Sequence, residues 1–135
     1  MNIIPKPWIV PSVVDFMREY LKKIENPKVL EFGSGCSTAF FAQYTSTLVT
    51  VEHNPKWYEV VKEYIDKNNL KVDLRLVQND YYLECESFPK DYFDFVLIDA
   101  QHRMNCLRYA RDIVKPGGVL MLDDSKYWKN YDVEI

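Results

Sequence analysis

Five short apolar segments separated by helical segments constrain the fold of this chain more than any other feature. The apolar segments are residues 29–32, 48–52, 72–77, 93–98 and 119–122. Helical spacing of apolar residues predicts helices at about 12–24, 37–44, 54–68 and 104–114, and 81–88 is irregular or a short helical piece. Uniformly apolar strands separated by helices are typical of a parallel sheet covered on both faces. We therefore predict an α/β protein with a doubly wound, mainly parallel sheet.

The length of the chain fits one domain. At 135 residues it can bury a core but has little room for a second one. We predict a single domain over residues 1–135, in which the proline-containing residues 1–11 form an extended arm. No apolar run is long enough to cross a bilayer, and the arm lacks the apolar region of a signal peptide.

Charge and cysteine content narrow the expected partners and compartment. The net charge is −3, and the Lys and Arg residues are scattered. Nucleic-acid binders normally present a basic face, because phosphate contacts supply much of their affinity. We therefore expect a small partner, with neither nucleic acid nor membrane. The oligomeric state stays open, a dimer being one alternative.

Cys36, Cys85 and Cys106 form no recognisable disulfide framework, which indicates buried free thiols in a reducing, cytoplasmic setting.

The turn after the first predicted strand is the candidate ligand site. Doubly wound sheets bind ligands at the carboxyl ends of their strands. Gly33 and Gly35 allow the backbone to approach a ligand closely, and the following helix, which Ser37 or Thr38 can cap, begins with free N–H groups. Glu52 closes the second strand about twenty residues on, where an acid commonly holds ribose hydroxyls. The alternative is that the two glycines form only a tight strand-to-helix turn.

The residues of this turn favour one nucleotide cofactor over another. A dinucleotide fingerprint would need a third glycine, and Thr38 occupies its position. Glu31, just before the turn, would repel a pyrophosphate but could pair with the ammonium group of an amino-acid cofactor. S-adenosylmethionine is therefore favoured, and an NAD-type oxidoreductase domain is the less favoured alternative.

Five motifs in order resemble those of class I S-adenosylmethionine-dependent methyltransferases, over residues 29–124. Residues 31–35 resemble the first motif, 52–53 the ribose-binding acid, 79–81 the adenine position, 93–99 the fourth strand and 115–120 the turn into the fifth. The resemblance implies a Rossmann-like sheet in strand order 3-2-1-4-5, here lacking the family's usual C-terminal strand pair. It also implies a set of cofactor-binding residues: Glu31, Phe32, Gly33, Gly35, Ser37, Thr38, Glu52, His53, Asp80, Tyr81 and Asp99.

Two further segments resemble metal-dependent O-methyltransferases. Residues 98–102 are similar to a D-x-D-H or D-A-x-K segment, with Gln101 in place of the second Asp, and residues 122–125 are similar to a D-D or D-N pair. This resemblance implies a Mg²⁺ site at Asp99, Asp123 and Asp124, and oxygen ligands suit that ion. It also implies catalytic roles for Asp99 and for His102, which could take the proton of an acceptor hydroxyl. The alternatives are turn-capping acids and an exposed loop histidine.

The arginines after this segment, Arg103, Arg108 and Arg111, look like a solvated helix face, although Arg103 is one candidate for neutralising the acids. Three aromatic residues near the end of the chain could cover the acceptor or pack on the sheet: Tyr127, Trp128 and Tyr131.

Together these patterns predict an S-adenosylmethionine-dependent methyltransferase acting on a hydroxyl of a small molecule or glycan. Because the sequence ends about ten residues after Asp124, a non-catalytic module that binds S-adenosylmethionine is the alternative.

Overall fold

The computed structural model describes residues 3–7 and 9–123, and its described strands form one parallel sheet. The strands are β1 Lys28–Phe32, β2 Thr47–Glu52, β3 Asp73–Leu76, β4 Phe93–Ile98 and β5 Val114–Leu122. They lie in the order β3-β2-β1-β4-β5, and every neighbouring pair is parallel. The predicted Rossmann-like fold class and strand order are confirmed. The sheet reverses its order between β1 and β4, which is where such folds bind ligands.

Four helices accompany the strands within the described residues: α1 Pro11–Lys22, which precedes β1, and α2 Cys36–Ala42, α3 Pro55–Lys67 and α4 Arg103–Ala110, which follow β1, β2 and β4. Two 3₁₀ segments, Tyr81–Ser87 and Arg111–Ile113, complete the connections. The predicted start of α3 is confirmed, because Asn54 accepts hydrogen bonds from the N–H groups of Lys56 and Trp57. None of these helices is long and apolar enough to span a bilayer.

The structure corrects two predicted boundaries. Gly35, rather than Ser37 or Thr38, occupies the N-cap position of α2, and Thr38 instead accepts a hydrogen bond from the Gly35 N–H. The fifth strand begins at Val114, although the Pro-Gly-Gly sequence at 116–118 predicted a turn. A register shift opposite Phe93 and Phe95 absorbs these residues into the strand.

The core lies on both faces of the sheet because successive strand residues point in opposite directions. One face packs α1 and α2 against buried strand residues that include Val29, Leu48, Phe95 and Leu97. The other packs α4 and the first 3₁₀ segment against Leu30, Val49, Val96 and Ile98. Cys85 and Cys106 are buried free thiols in this second layer, and burial raises the pKa of each to about 12.

Asp94 joins three strands at the amino end of the sheet. Its buried carboxylate accepts the Lys28 N–H at 2.9 Å and the Lys115 ammonium at 3.1 Å. Lys28 is the first residue of β1 and Lys115 lies in β5, on the other side of β4. One carboxylate therefore fixes the start of the central strand relative to the edge strand.

We expect Asp94→Ala to lower the free energy of unfolding by about 1–3 kcal/mol, because it leaves the Lys28 N–H without its acceptor. Asp94→Asn keeps an acceptor oxygen and is the matched control, with a smaller loss. Urea denaturation of the three proteins measures both losses. Equal stability of the alanine variant and the wild type would show that this carboxylate does not hold the strands.

Candidate functional site

A cavity of about 320 Å³ opens at the carboxyl edge of the sheet, beside the turn between β1 and α2. It is lined by Pro7, Ile9, Ser34, Gly35, Cys36, Ser37, Trp57, Asp99 and Asp123. The sequence predicted four of these as site residues: Gly35, Ser37, Asp99 and Asp123. The fold therefore brings the glycine turn together with the ends of β4 and β5, and the predicted N-terminal arm contributes Pro7 and Ile9 to the wall.

The two glycines of the turn serve different purposes. Gly33 has a φ of +95°, and a Cβ there would overlap the carbonyl oxygen of Asp99. Gly35 has a φ of +147°, and a Cβ there would lie 3.2 Å from the Trp57 ring at the cavity wall. Gly33 is thus required by the close approach of β1 and β4, whereas the missing side chain of Gly35 leaves room for the Trp57 ring at the cavity wall.

Glu31 lies beneath the turn with its carboxylate fully buried. It accepts hydrogen bonds from the hydroxyls of Thr38, Ser37 (2.7 Å) and Thr50 (2.9 Å). Burial raises its pKa to about 7, the hydroxyls oppose that rise, and the nearby charge of Asp99 adds to it. The possible pairing of Glu31 with a ligand ammonium group stays a prediction. Phe32 and Thr38, also predicted to bind cofactor, are likewise buried behind the cavity.

Glu52 ties the end of β2 to the turn. One carboxylate oxygen, Oε1, accepts both the Ser34 N–H at 3.0 Å and the Ser34 hydroxyl at 2.5 Å. The other, Oε2, accepts the Asn54 N–H at 2.9 Å and lies 3.6 Å from Nδ1 of His53. The acid is 3% exposed. Glu52 therefore stands at the predicted strand end, next to the turn.

Three predicted residues form an aromatic cluster beyond Glu52. The His53 ring stacks on Tyr81 with centroids 5.5 Å apart, and His102 meets the same ring edge-on at 6.1 Å. The Tyr81 hydroxyl donates to the carbonyl of Gln101, and burial raises its pKa. Asp80 is exposed and accepts a hydrogen bond from Tyr82 at 3.2 Å, so its predicted role at an adenine amino group stays a prediction.

Arg103 joins the ends of β4 and β5. Its guanidinium Nη2 lies 3.6 Å from Oδ1 of Asp99, and its Nε donates to the carbonyl of Asp123 at 3.4 Å. The side chain is only 13% exposed, which corrects the prediction of a solvated helix face at this position. Arg103 thus brings a positive charge beside Asp99 and the backbone of Asp123, two of the three residues that the sequence assigned to a metal.

The predicted Mg²⁺ site includes Asp124, which lies outside the described residues, as do Tyr127, Trp128 and Tyr131. Among residues 3–7 and 9–123, no group of three candidate ligands is close enough to hold a metal ion. Asp99 and Asp123 do line the same cavity. The three-carboxylate site stays a prediction.

Sequence reasoning missed Trp57 and Ser34 as site residues. The Trp57 indole N–H donates to the Ser34 carbonyl at 2.6 Å, and its ring covers Gly35. No motif marks Trp57; its only signal is its place in the first turn of the predicted helix after β2. The indole lies near the glycine turn because α3 packs against α2, where Ala39 and Val61 share a buried cluster.

Comparison with known proteins identifies a family. A family model described as a methyltransferase domain matches residues 30–125. No curated protein matches the chain. An O-methyltransferase from Bacillus cereus in complex with SAH is similar in structure, with a TM-score of 0.69 and 26% identity over 83% of this chain and 56% of that one.

Two further solved structures show the same fold at lower identity. A putative caffeoyl-CoA O-methyltransferase from Staphylococcus aureus has a TM-score of 0.71 and 17% identity, over 90% of this chain and 61% of that one. An rRNA methylase from Streptococcus thermophilus has a TM-score of 0.68 and 10% identity, over 96% and 82%. The chain thus spans between half and two thirds of the two similar O-methyltransferases.

We expect Gly33→Ala to destabilise the protein far more than Gly117→Ala. Both glycines have positive φ, but at Gly117 no described atom lies within 4 Å of the added Cβ. The free energy of unfolding of the control variant should therefore fall only by the cost of placing alanine in a left-handed backbone, about 1–2 kcal/mol. Gly33→Ala adds the overlap with Asp99. Urea denaturation compares the two variants, and equal losses would contradict the close approach of β1 and β4.

We expect Glu31 to make stability depend on pH between about 4.5 and 7. The folded protein holds a proton on Glu31 up to about pH 7, whereas the ordinary value is 4.5. Since the folded state binds more protons in this window, stability falls as pH rises through it. The free energy of unfolding of wild type minus that of Glu31→Gln should therefore decrease from pH 4.5 to 7. Parallel curves for the two proteins would contradict the raised pKa.

Proposed function

Because this chain belongs to the methyltransferase domain family, with a class I S-adenosylmethionine-dependent fold, we propose that it transfers a methyl group from S-adenosylmethionine to a hydroxyl of a small molecule or glycan. The observation that carries the proposal is the cavity at the strand ends, where the glycine turn meets Asp99 and Asp123. The scattered basic residues and the net charge of −3 support a small acceptor rather than RNA.

The residues at the strand ends fit the cofactor. Gly35 leaves open a space that a Cβ would narrow against Trp57. Glu52, an acid at the end of β2, would hold the ribose hydroxyls, and the ring of His53 would lie beside the adenine. S-adenosylmethionine, when bound, supplies a methyl group on a positively charged sulfur. The carboxylate of Asp99, at the cavity wall, favours a positive charge there.

The acceptor hydroxyl has to lose a proton as it is methylated. We propose that His102 accepts this proton. It is exposed at the start of α4 and packs edge-on against Tyr81. Asp99 and Asp123, together with Asp124, are the residues that would hold Mg²⁺, and a cation there would lower the pKa of an acceptor hydroxyl. Arg103 lies beside the first of these acids and limits their mutual repulsion.

We expect methyl transfer to require Mg²⁺ and Asp123→Asn to remove that requirement together with most of the activity. The experiment screens labelled S-adenosylmethionine against phenols, sugars and an RNA oligonucleotide, with and without a strong chelator. Asp112→Asn, an exposed acid after α4, is the matched control. Asp123→Asn should still bind S-adenosylhomocysteine with an affinity close to that of the wild type.

Each other outcome of this screen has a distinct meaning. Methyl transfer that survives chelation, with metals verifiably absent, contradicts the metal site. The acids would then serve only as partners of Arg103. Transfer to RNA alone contradicts the small acceptor. Binding of S-adenosylhomocysteine without transfer to any acceptor favours the alternative of a non-catalytic binding module.

A further inference from the structure

The Ser34 hydroxyl takes up a hydrogen-bond acceptor position on Glu52, the carboxylate that the proposed function assigns to the ribose. It donates to Oε1 of Glu52 at 2.5 Å, and the Ser34 N–H donates to the same oxygen at 3.0 Å. We propose that this hydroxyl competes with the ribose diol for Glu52, so that cofactor binding has to displace it and Ser34 sets the cofactor affinity. The inference rests on the proposed function, because it takes Glu52 as the ribose acceptor.

The acceptor capacity of Glu52 shows why the two compete. A carboxylate oxygen has about two lone-pair positions. On Oε1 both are taken by Ser34, and on Oε2 one is taken by the Asn54 N–H at 2.9 Å. The two hydroxyls of a ribose are two donors, and at most one position is left for them. One existing donor therefore has to leave when the diol binds.

The Ser34 hydroxyl is the donor that can leave most easily. The Ser34 and Asn54 N–H groups belong to the backbone, and the Trp57 indole holds the Ser34 carbonyl at 2.6 Å. The hydroxyl needs only a rotation about χ1 to leave Glu52. The backbone of the turn keeps its position while the side chain moves.

The same hydroxyl stabilises the protein before the cofactor binds. Glu52 is 3% exposed, and a buried carboxylate with an unfilled acceptor position is costly. Ser34 fills that position in the ligand-free protein and gives it up to the ligand. Removal of the hydroxyl should therefore lower the stability of the free protein and raise its affinity for the cofactor, two changes in opposite directions that a merely structural role does not produce.

We expect Ser34→Ala to bind S-adenosylhomocysteine about two- to tenfold more tightly than wild type, in line with one net hydrogen bond. Ser34→Thr keeps the hydroxyl and should bind like the wild type. The gain should vanish for the 2′,3′-dideoxy analogue of S-adenosylhomocysteine, which has no diol. Isothermal titration measures all three, and thermal unfolding without ligand should show a lower Tm for the alanine variant. If Ser34→Ala does not fold, Ser34→Cys, with a weaker donor, should show a smaller gain in the same direction.

Glu52→Gln separates failure of this inference from failure of the proposed function. It should weaken binding of S-adenosylhomocysteine at least tenfold, and adding Ser34→Ala to it should bring no gain. If Glu52→Gln weakens binding but Ser34→Ala binds equally or less tightly than wild type, the competition is refuted and the ribose role of Glu52 stands. If Glu52→Gln binds like the wild type, the ribose assignment itself is wrong. A gain that persists with the dideoxy analogue also overturns the competition.

Discussion

A carboxylate buried at the end of a central strand must find hydrogen-bond donors inside the protein, and the donors of Glu31 define the architecture of this site. Three elements meet at this acid: β1 carries it, the first turn of α2 supplies the donors Ser37 and Thr38, and β2 supplies the donor Thr50. Thr38 also accepts the N–H of Gly35. The acid and the hydroxyls together fix the path of the glycine turn from below, because each of them would be costly to leave unpaired.

Two residues from the following strand and helix, β2 and α3, also hold the glycine turn. Glu52 at the end of β2 and Trp57 in α3 each bond to Ser34. The acid contacts its N–H and hydroxyl, and the indole contacts its carbonyl. The conformation of the turn therefore depends on the β2–α3 connection as much as on its own glycines, and changes at Trp57 reach the cavity without any motif residue being altered.

The parts of this molecule that sequence could predict are those determined by local periodicity and by strand ends. The apolar strands were predictable, and so was the meeting of the glycine turn with Asp99 and Asp123, since parallel strands end at one edge. The strand order followed from the resemblance to a known family and not from periodicity. The early start of β5 was not, because Pro116, Gly117 and Gly118 indicate a turn in isolation. Only the shifted register against β4 makes them part of a strand.

The directions in which side chains point could not be predicted from the sequence either. The spacing of Arg103, Arg108 and Arg111 suggests an exposed face, yet the first of them reaches back over the strand ends. The burial of Glu31 and the occupation of Glu52 by Ser34 likewise depend on distances of a few ångströms between residues 7 to 19 positions apart. Local patterns contain no information on such distances.

His102 has a φ of +57°, the left-handed backbone region that favours glycine or asparagine. The chain thus retains an imidazole at a position whose backbone would be more relaxed with a glycine. That glycine would make the start of α4 easier to form and would leave Tyr81 without its edge-on neighbour. The backbone geometry and the proton-accepting role proposed for His102 therefore favour different side chains at this one residue.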